Sequence, residues 1–547
     1  MTATRAVRGI AGAAAAVALI TLMARVVGFG RWLAFEGSVG SGWVGTAYAG
    51  ANVVPNVLFE VVAGGALAAS VVPVLAASLV RGDDVATART ASALLTWTVL
   101  VLTPVALALA LLAHPVARLL VGSGAPAPVA ESAGRMLVAF APQVVLYGVG
   151  VVLTGVLQAH HRFLGPALAP LLSSVVVVGV YLTFAATTGS ADQPVDWLPG
   201  RAGEALLAWG TTAGVLALSL PLLVPVRRAG LRLRPTLRMD AEVLRRVRAL
   251  AAAGLAGLVA QQCLVLATAR LATSGGGVGT LNVYQYTQAV YLLPYAVLAV
   301  PLATATFPAL AGHAASVDGE RYAAVLARST RTVVLVALAG VAVLVAVAPA
   351  IGGVFTALRG GSPALQAMPL ALTAYAPGLV GFALLAHLGR ALFAADAARW
   401  AARSTVAGWG TAVVLSVVLV PALSGPDPDP GRTLLALGIA SSVGMTVAGA
   451  LLLVGAARLR VGAVRASQGL HGSAPALLRS AAVAVAALVV GRVSTDQVLG
   501  SDGLAGMPEA VAAGVVGAVI TAAVLGAGLA VVAREDLRGL RPAGWRR

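Results

Sequence analysis

Glu60 lies in the run Pro55-Asn56-Val57-Leu58-Phe59-Glu60-Val61-Val62-Ala63-Gly64-Gly65-Ala66-Leu67, in which every other side chain except Asn56 is apolar or absent. A carboxylate within a segment of that kind is costly in a bilayer unless it meets a cation or a wet cavity, which makes it a functional candidate. The partners that the sequence offers are Arg25 and Arg31, in the preceding apolar stretch. Six positions separate the two arginines, about 240° around a straight helix, so they converge on one cavity only where the backbone breaks. Gly28 and Gly30 supply the places for such a break. A structural Arg25–Glu60 pair, and snorkelling of Arg31 to the headgroups, are the plainer alternatives.

The elements that must position these groups are membrane helices. Of the 547 residues 59% are hydrophobic and 10% charged, and the mean hydropathy is +0.93. Apolar runs close to the ~20 residues that a bilayer requires recur along the whole length. Fourteen spans are expected, near 9–34, 44–79, 91–113, 133–157, 163–186, 203–226, 248–272, 280–311, 331–355, 367–392, 403–423, 433–456, 475–494 and 510–532. The fold class expected is therefore an all-α polytopic membrane protein.

The net charge of +17 is spread from loop to loop rather than gathered on one soluble face, which argues against nucleic acid as a partner. Arginines crowd alternate loops, most densely from Arg227 to Arg248, whereas the intervening loops hold Asp192, Asp196, Asp427, Asp429, Asp496 and Asp502. That bias sets both termini in the cytoplasm. For 227–248 the simplest roles are topogenic charge and attraction to anionic lipid. Arg5 and Arg8 ahead of an apolar run imitate a signal peptide, but Arg25 and Arg31 stand where small cleavage-site residues would be expected.

Several chemistries are excluded. All 37 basic residues are arginine, so there is no Walker A lysine and no Schiff-base lysine. No metal-ligand spacing occurs; His160-His161 sits at a span boundary, and the single cysteine, Cys263, falls in an apolar span where packing is its expected role. No catalytic residue and no cofactor are expected. Transport by such a chain would draw on a membrane potential or a cation gradient.

A repeat organises the spans. Ser70-Val71-Val72-Pro73-Val74-Leu75-Ala76 returns as Ala305-Thr306-Phe307-Pro308-Ala309-Leu310-Ala311, at an offset of 308 − 73 = 235 residues. Phe140-Ala141-Pro142 against Tyr375-Ala376-Pro377, and Leu157-Gln158-Ala159 against Leu392-Phe393-Ala394, keep the same offset. A duplication of six spans explains this, with a pseudo-two-fold axis along the membrane normal and substrate between the lobes. The expected domains are a six-helix lobe at 1–226, a basic cytoplasmic loop at 227–247, a second six-helix lobe at 248–456, two additional helices within 457–533 and a basic tail at 534–547. Backbone breaks are expected at Gly28, Gly30, Pro55, Gly64, Gly65 and Pro294, since freed backbone groups are tolerated at membrane depth where they face a cavity or a neighbouring helix.

Three signatures resemble the MurJ/MviN family of lipid II flippases, within the multidrug/oligosaccharidyl-lipid/polysaccharide exporter superfamily. Ala24-Arg25-Val26-Val27-Gly28-Phe29-Gly30-Arg31 is similar to the family's S-R-x-x-G-F-x-R opening. Pro55-Asn56, Gly65-Ala66 and Val72-Pro73 follow its P-N-L-L-R-R-L-F-A-E-G-A and F-V-P, and Tyr291-Leu292-Leu293-Pro294 through Phe307-Pro308-Ala309-Leu310 follow its eighth span. The resemblance implies a flippase that moves lipid II, or another undecaprenyl-pyrophosphate-linked saccharide, by alternating access, with spans thirteen and fourteen forming a groove for the polyprenyl tail. Its substrate-binding set here would be Arg25, Arg31, Asn56 and Glu60, and membrane lipids and cell-wall synthesis proteins would be its partners.

The chain also departs from the family. Phe59 and Ala289 occupy positions of cavity arginines, Trp32, Thr46 and Gly64 those of acidic residues, and Glu60 that of a second arginine. Those losses keep two other expectations open: an ion-coupled drug or metabolite antiporter on the same fold, and a degenerate relative acting as a scaffold for cell-wall synthesis.

Overall fold

The computed structural model of the protein describes residues 19–20, 23–62, 71–75, 79, 82–122, 125–239, 241–467, 474–501 and 505–532. Gly64 and Gly65 lie outside them, as do parts of the first two expected spans. The described chain is helical almost throughout, its one sheet being a two-stranded hairpin in which Arg460–Val461 pairs antiparallel with Val464–Arg465. Among the described residues eleven helices are long and apolar enough to cross a membrane, and the bent pair Pro363–Tyr375 and Gly378–Ala394 makes a twelfth. These twelve correspond in order to the third through fourteenth expected spans; a count of fourteen is not reached among the described residues.

The chain divides into two compact units, Met1–Ser274 and Gly275–Arg547. In the first, a core of Val71, Leu75, Leu94, Leu153, Leu157, Leu222 and Val226 joins helices Asp84–Leu111, Gln143–Ala159 and the end of Arg201–Ser219 with its continuation Leu223–Arg228. In the second, Leu310, Tyr322, Leu326, Leu388, Leu392 and Leu452 do the same for Val300–Ala315, Gly319–Arg359, Gly378–Ala394 and Pro430–Arg458. Lipid tails are as apolar as leucine, so such helices are held by close fit rather than by exclusion from water. Gly381 packs directly on the Met445 carbonyl, and Gly408 and Gly444 bring Ala398–Ser424 against Pro430–Arg458, where a Cβ on Gly444 would stand 2.6 Å from the Gly408 oxygen.

The duplication is written into local geometry. Asp83 caps its helix by accepting from the Ala86 N–H at 2.8 Å, and 235 residues on Asp318 accepts from Arg321 at 3.1 Å. Helices Gln143–Ala159 and Gly378–Ala394 begin and end at that same offset. The non-glycine residues His161 and Asp396, again equivalent, both hold φ at 57°. The last two helices, Ala474–Leu499 and Met507–Val532, form a hairpin that packs on the long helix Gly319–Arg359 through Ala342, Ala484, Ala487 and Leu525.

Candidate functional site

The first unit carries the charged candidates on two successive helices. One runs unbroken over 23–38 and the other is Trp43–Glu60. Continuity of the first overturns the expected break at Gly28 and Gly30. Both glycines are helical and face open space within 4 Å, so the arginines keep the ~240° separation of a straight helix and leave on different faces. Arg25 is exposed and Arg31 half-buried. Pro55 likewise sits inside a continuous helix, its missing N–H tolerated without a break.

Glu60 is the last residue of its helix, and its side chain is exposed rather than buried. Asn56, one turn earlier, is exposed too, and Asn52 one turn before that is half-exposed. The i, i+4, i+8 spacing sets Asn52, Asn56 and Glu60 on one face as a polar stripe along an otherwise apolar span. Asn52 was missed in the sequence reading, although its distance of four from Asn56 was a usable signal. No ion pair joins Glu60 to Arg25 or Arg31 among the described residues. Arg31 instead lies over the Trp32 ring, 5.5 Å from its centroid, a cation–π contact at the position where the family carries an aspartate.

Aromatic side chains form the wall behind this face. Phe59 packs on Tyr147 with centroids 4.4 Å apart. Tyr48 hydrogen-bonds Tyr181 and Thr211, each at 2.9 Å, while Phe35 lies 5.1 Å from both tyrosine rings. Such a satisfied buried network fixes the helix that presents the stripe. Glu36, only 1% exposed, accepts from Ser41 Oγ at 3.3 Å; it is a second acidic group in this region that the sequence reading passed over. Arg135 is held by Glu204 in a two-pronged pair at 2.6 Å for both bonds. Cys263, expected to pack, is exposed.

In the second unit the equivalent helix is Thr280–Pro294. It shows half-exposed Tyr284, Gln285, Gln288 and Ala289, a polar face with no charge. Pro294 ends this helix, and a π turn, Tyr295–Ala299, follows at once. Residues 61–62 after Glu60 are also π-helical, so each unit interrupts its stripe-bearing span just beyond the stripe. Turns of this kind are rare and recur at functional sites. Tyr295, which stands where Glu60 does in the first unit, packs on Phe382, the equivalent of Tyr147, at 4.5 Å. Arg390, on the same helix as Phe382, donates to its own helix at the Ala386 carbonyl. Among the described residues no group of three acidic, histidine or cysteine side chains could hold a metal.

The family model described as "Lipid II flippase MurJ" matches residues 37–497. A lipid II flippase MurJ of Burkholderia cenocepacia is 27% identical over 384 residues, 68% of this chain and 71% of that protein. A probable lipid II flippase MurJ of Rhizobium meliloti is 27% identical over 301 residues, and the match spans only 53% of its length. The fold resembles a MurJ structure in an inward closed conformation, with a TM-score of 0.71 at 15% identity, covering 94% of this chain and 98% of that one. An inward-facing multidrug resistance MATE family transporter gives 0.63 at 14% identity, covering 80% of this chain and 97% of the transporter. With the family model matching across most of its length, the chain belongs to the lipid II flippase MurJ family.

Proposed function

We propose that this protein is a flippase that carries lipid II from the inner to the outer leaflet of the cytoplasmic membrane by alternating access, making and breaking no bond. The observation that carries this reading is the stripe Asn52–Asn56–Glu60 with Arg25 and Arg31 on the neighbouring helix: polar and charged groups, exposed or half-exposed on otherwise apolar helices. Groups so placed are costly against hydrocarbon and are retained where they meet water or a polar substrate. The arginines supply charge-assisted hydrogen bonds to a pyrophosphate, each about twice as strong as a neutral one. A membrane potential or cation gradient drives the cycle, and Glu60 is the acidic group able to carry a coupling cation.

Both termini and the segment 227–248 face the cytoplasm in this reading, following the arginine bias. The antiporter alternative is less well supported, because the MATE transporter's match covers 80% of the chain against 94% for the MurJ structure. The test is complementation of a flippase-depleted host, with the outer-leaflet lipid II pool measured directly. Rescue by the native chain is expected, with tighter substrate binding when Phe59→Arg and Ala289→Arg are combined. Failure of both to rescue, with good membrane expression, overturns the reading.

A further inference from the structure

Away from the polar stripe, the first unit holds a groove of about 970 Å³ between helix Asp84–Leu111 and the segment that follows Leu223–Arg228. The chain turns at Gly230, whose φ is 83°, and then runs without helix over 231–239 along the face of Asp84–Leu111. Side chains one turn apart on that helix hold it there. Ser92 accepts from the Arg234 N–H and Thr96 from the Thr236 N–H, both at 3.1 Å, while the Trp97 indole donates to the Leu237 carbonyl at 3.2 Å. Six bonding partners in register make a built wall rather than a loose loop.

The two ends of the groove differ in chemistry. Its floor is apolar, formed by Leu95, Val99, Leu100, Pro104, Leu223 and Leu231. Its mouth carries Arg227, Arg232 and Arg234, all exposed, and an adjoining hollow of about 500 Å³ adds Arg89 together with one acid, Asp84. None of these four arginines makes an ion pair among the described residues. Only 28% of the apolar window of Asp84–Leu111 is buried within the protein, and Val99 and Leu100 of the groove are among its exposed side chains, an apolar surface suited to lipid.

We propose that this groove is a binding site for an anionic glycerophospholipid, with an acyl chain on the leucine and valine floor and the headgroup phosphate between Arg232 and Arg234. Charge complementarity selects the occupant. A free phosphate would leave the floor unused, and a zwitterionic lipid would bring its own ammonium group up to the arginines beside its phosphate, cancelling part of the attraction. Basic pockets beside membrane helices bind anionic headgroups in this way, and each buried methylene adds to the hold. The site requires neither lipid II nor transport, so it stands independently of the flippase reading.

The test uses the full-length protein in nanodiscs of phosphatidylcholine containing a small fraction of phosphatidylglycerol with a photoactivatable acyl chain, and maps crosslinked peptides by mass spectrometry. Crosslinks are expected within 92–104 and 223–235, persisting when equimolar lipid II is added. Native mass spectrometry of protein released from the same nanodiscs should show retained phosphatidylglycerol falling about thirty-fold in Arg232→Gln/Arg234→Gln, as the loss of two surface arginine–lipid attractions implies. The control pair Arg399→Gln/Arg403→Gln should retain it, and Leu95→Trp, which fills the floor, should lose it with the arginines intact. Crosslinks spread evenly over all spans, equal losses in the control pair, equal retention of phosphatidylcholine, or displacement by lipid II would each overturn the proposal.

Discussion

The pair Arg135–Glu204 offers the sharpest energetic test of the fold. Its two bonds of 2.6 Å tie helix Ala127–Phe140 to Arg201–Ser219, with Glu204 side-chain exposure at 7% and Arg135 at 29%. Removing one partner of a fully buried pair costs about 3–5 kcal/mol, mostly from the stranded charge. Arg135 reaches solvent or headgroups, so Glu204→Leu should cost less, about 2 kcal/mol, whereas Arg135→Leu strands the deeper carboxylate and should cost about 3–4 kcal/mol. The second unit shows what the site tolerates. The Gln143 side-chain amide donates to Thr212 where the Gly378 backbone N–H donates to Ser442, and Thr212 and Ser442 each donate to a carbonyl, of Ala139 and Ala374, at equivalent positions. On that correspondence Arg135 and Glu204 are matched by Leu370 and Leu434. The double variant Arg135→Leu/Glu204→Leu should therefore return to within about 1 kcal/mol of the parent, because a buried pair replaced by apolar residues is often neutral or better. Thermal unfolding in detergent, followed by intrinsic fluorescence, reads the order, with Trp209 on the Glu204 helix as reporter. Single variants as stable as the parent, or a double variant as poor as the sum of the singles, refutes the reasoning.

Three further outcomes are expected. Arg31→Ala and Glu60→Ala should each abolish rescue of a flippase-depleted host while membrane insertion, read by immunoblot, is unchanged; full rescue by both removes the stripe from the substrate path. With Cys263 replaced by Ser, cysteines at the exposed Asp192 and Asp427 should react with an impermeant maleimide in intact cells and one at the exposed Arg228 should not, and the reverse pattern inverts the topology. Gly381→Val should lower thermal stability by about 1–3 kcal/mol through overpacking, since a side chain there meets the Met445 backbone; an unchanged melting profile would show that the two helices part without cost.

The helical fold and its duplication were legible because bilayer-length apolar runs and a 235-residue offset are properties of composition and order alone. The site was legible only in part. Asn56 and Glu60 share an exposed face, but a run of apolar neighbours says nothing about which side of a helix carries it. Gly28 and Gly30 were read as a break because glycine permits one; permission is not strain, and nothing near either residue forces the helix apart. Glu204 as the partner of Arg135 was out of reach, being 69 residues distant and on a helix whose rotation only packing decides.

The π turn after Pro294 carries a consequence for what its span presents to its surroundings. A π turn spends one residue more than an α turn between bonded groups, so Val300–Ala315 is rotated by about 100° from the phase set by Thr280–Pro294. The residues that would carry on the face of Tyr284 and Gln288 in unbroken α phase are thereby turned aside, and exposed Val297 and Leu298 within the turn and Phe307 beyond it come outward instead. One span thus offers two unlike solvents in succession, a hydrophilic half and an oily half, without any change of helix.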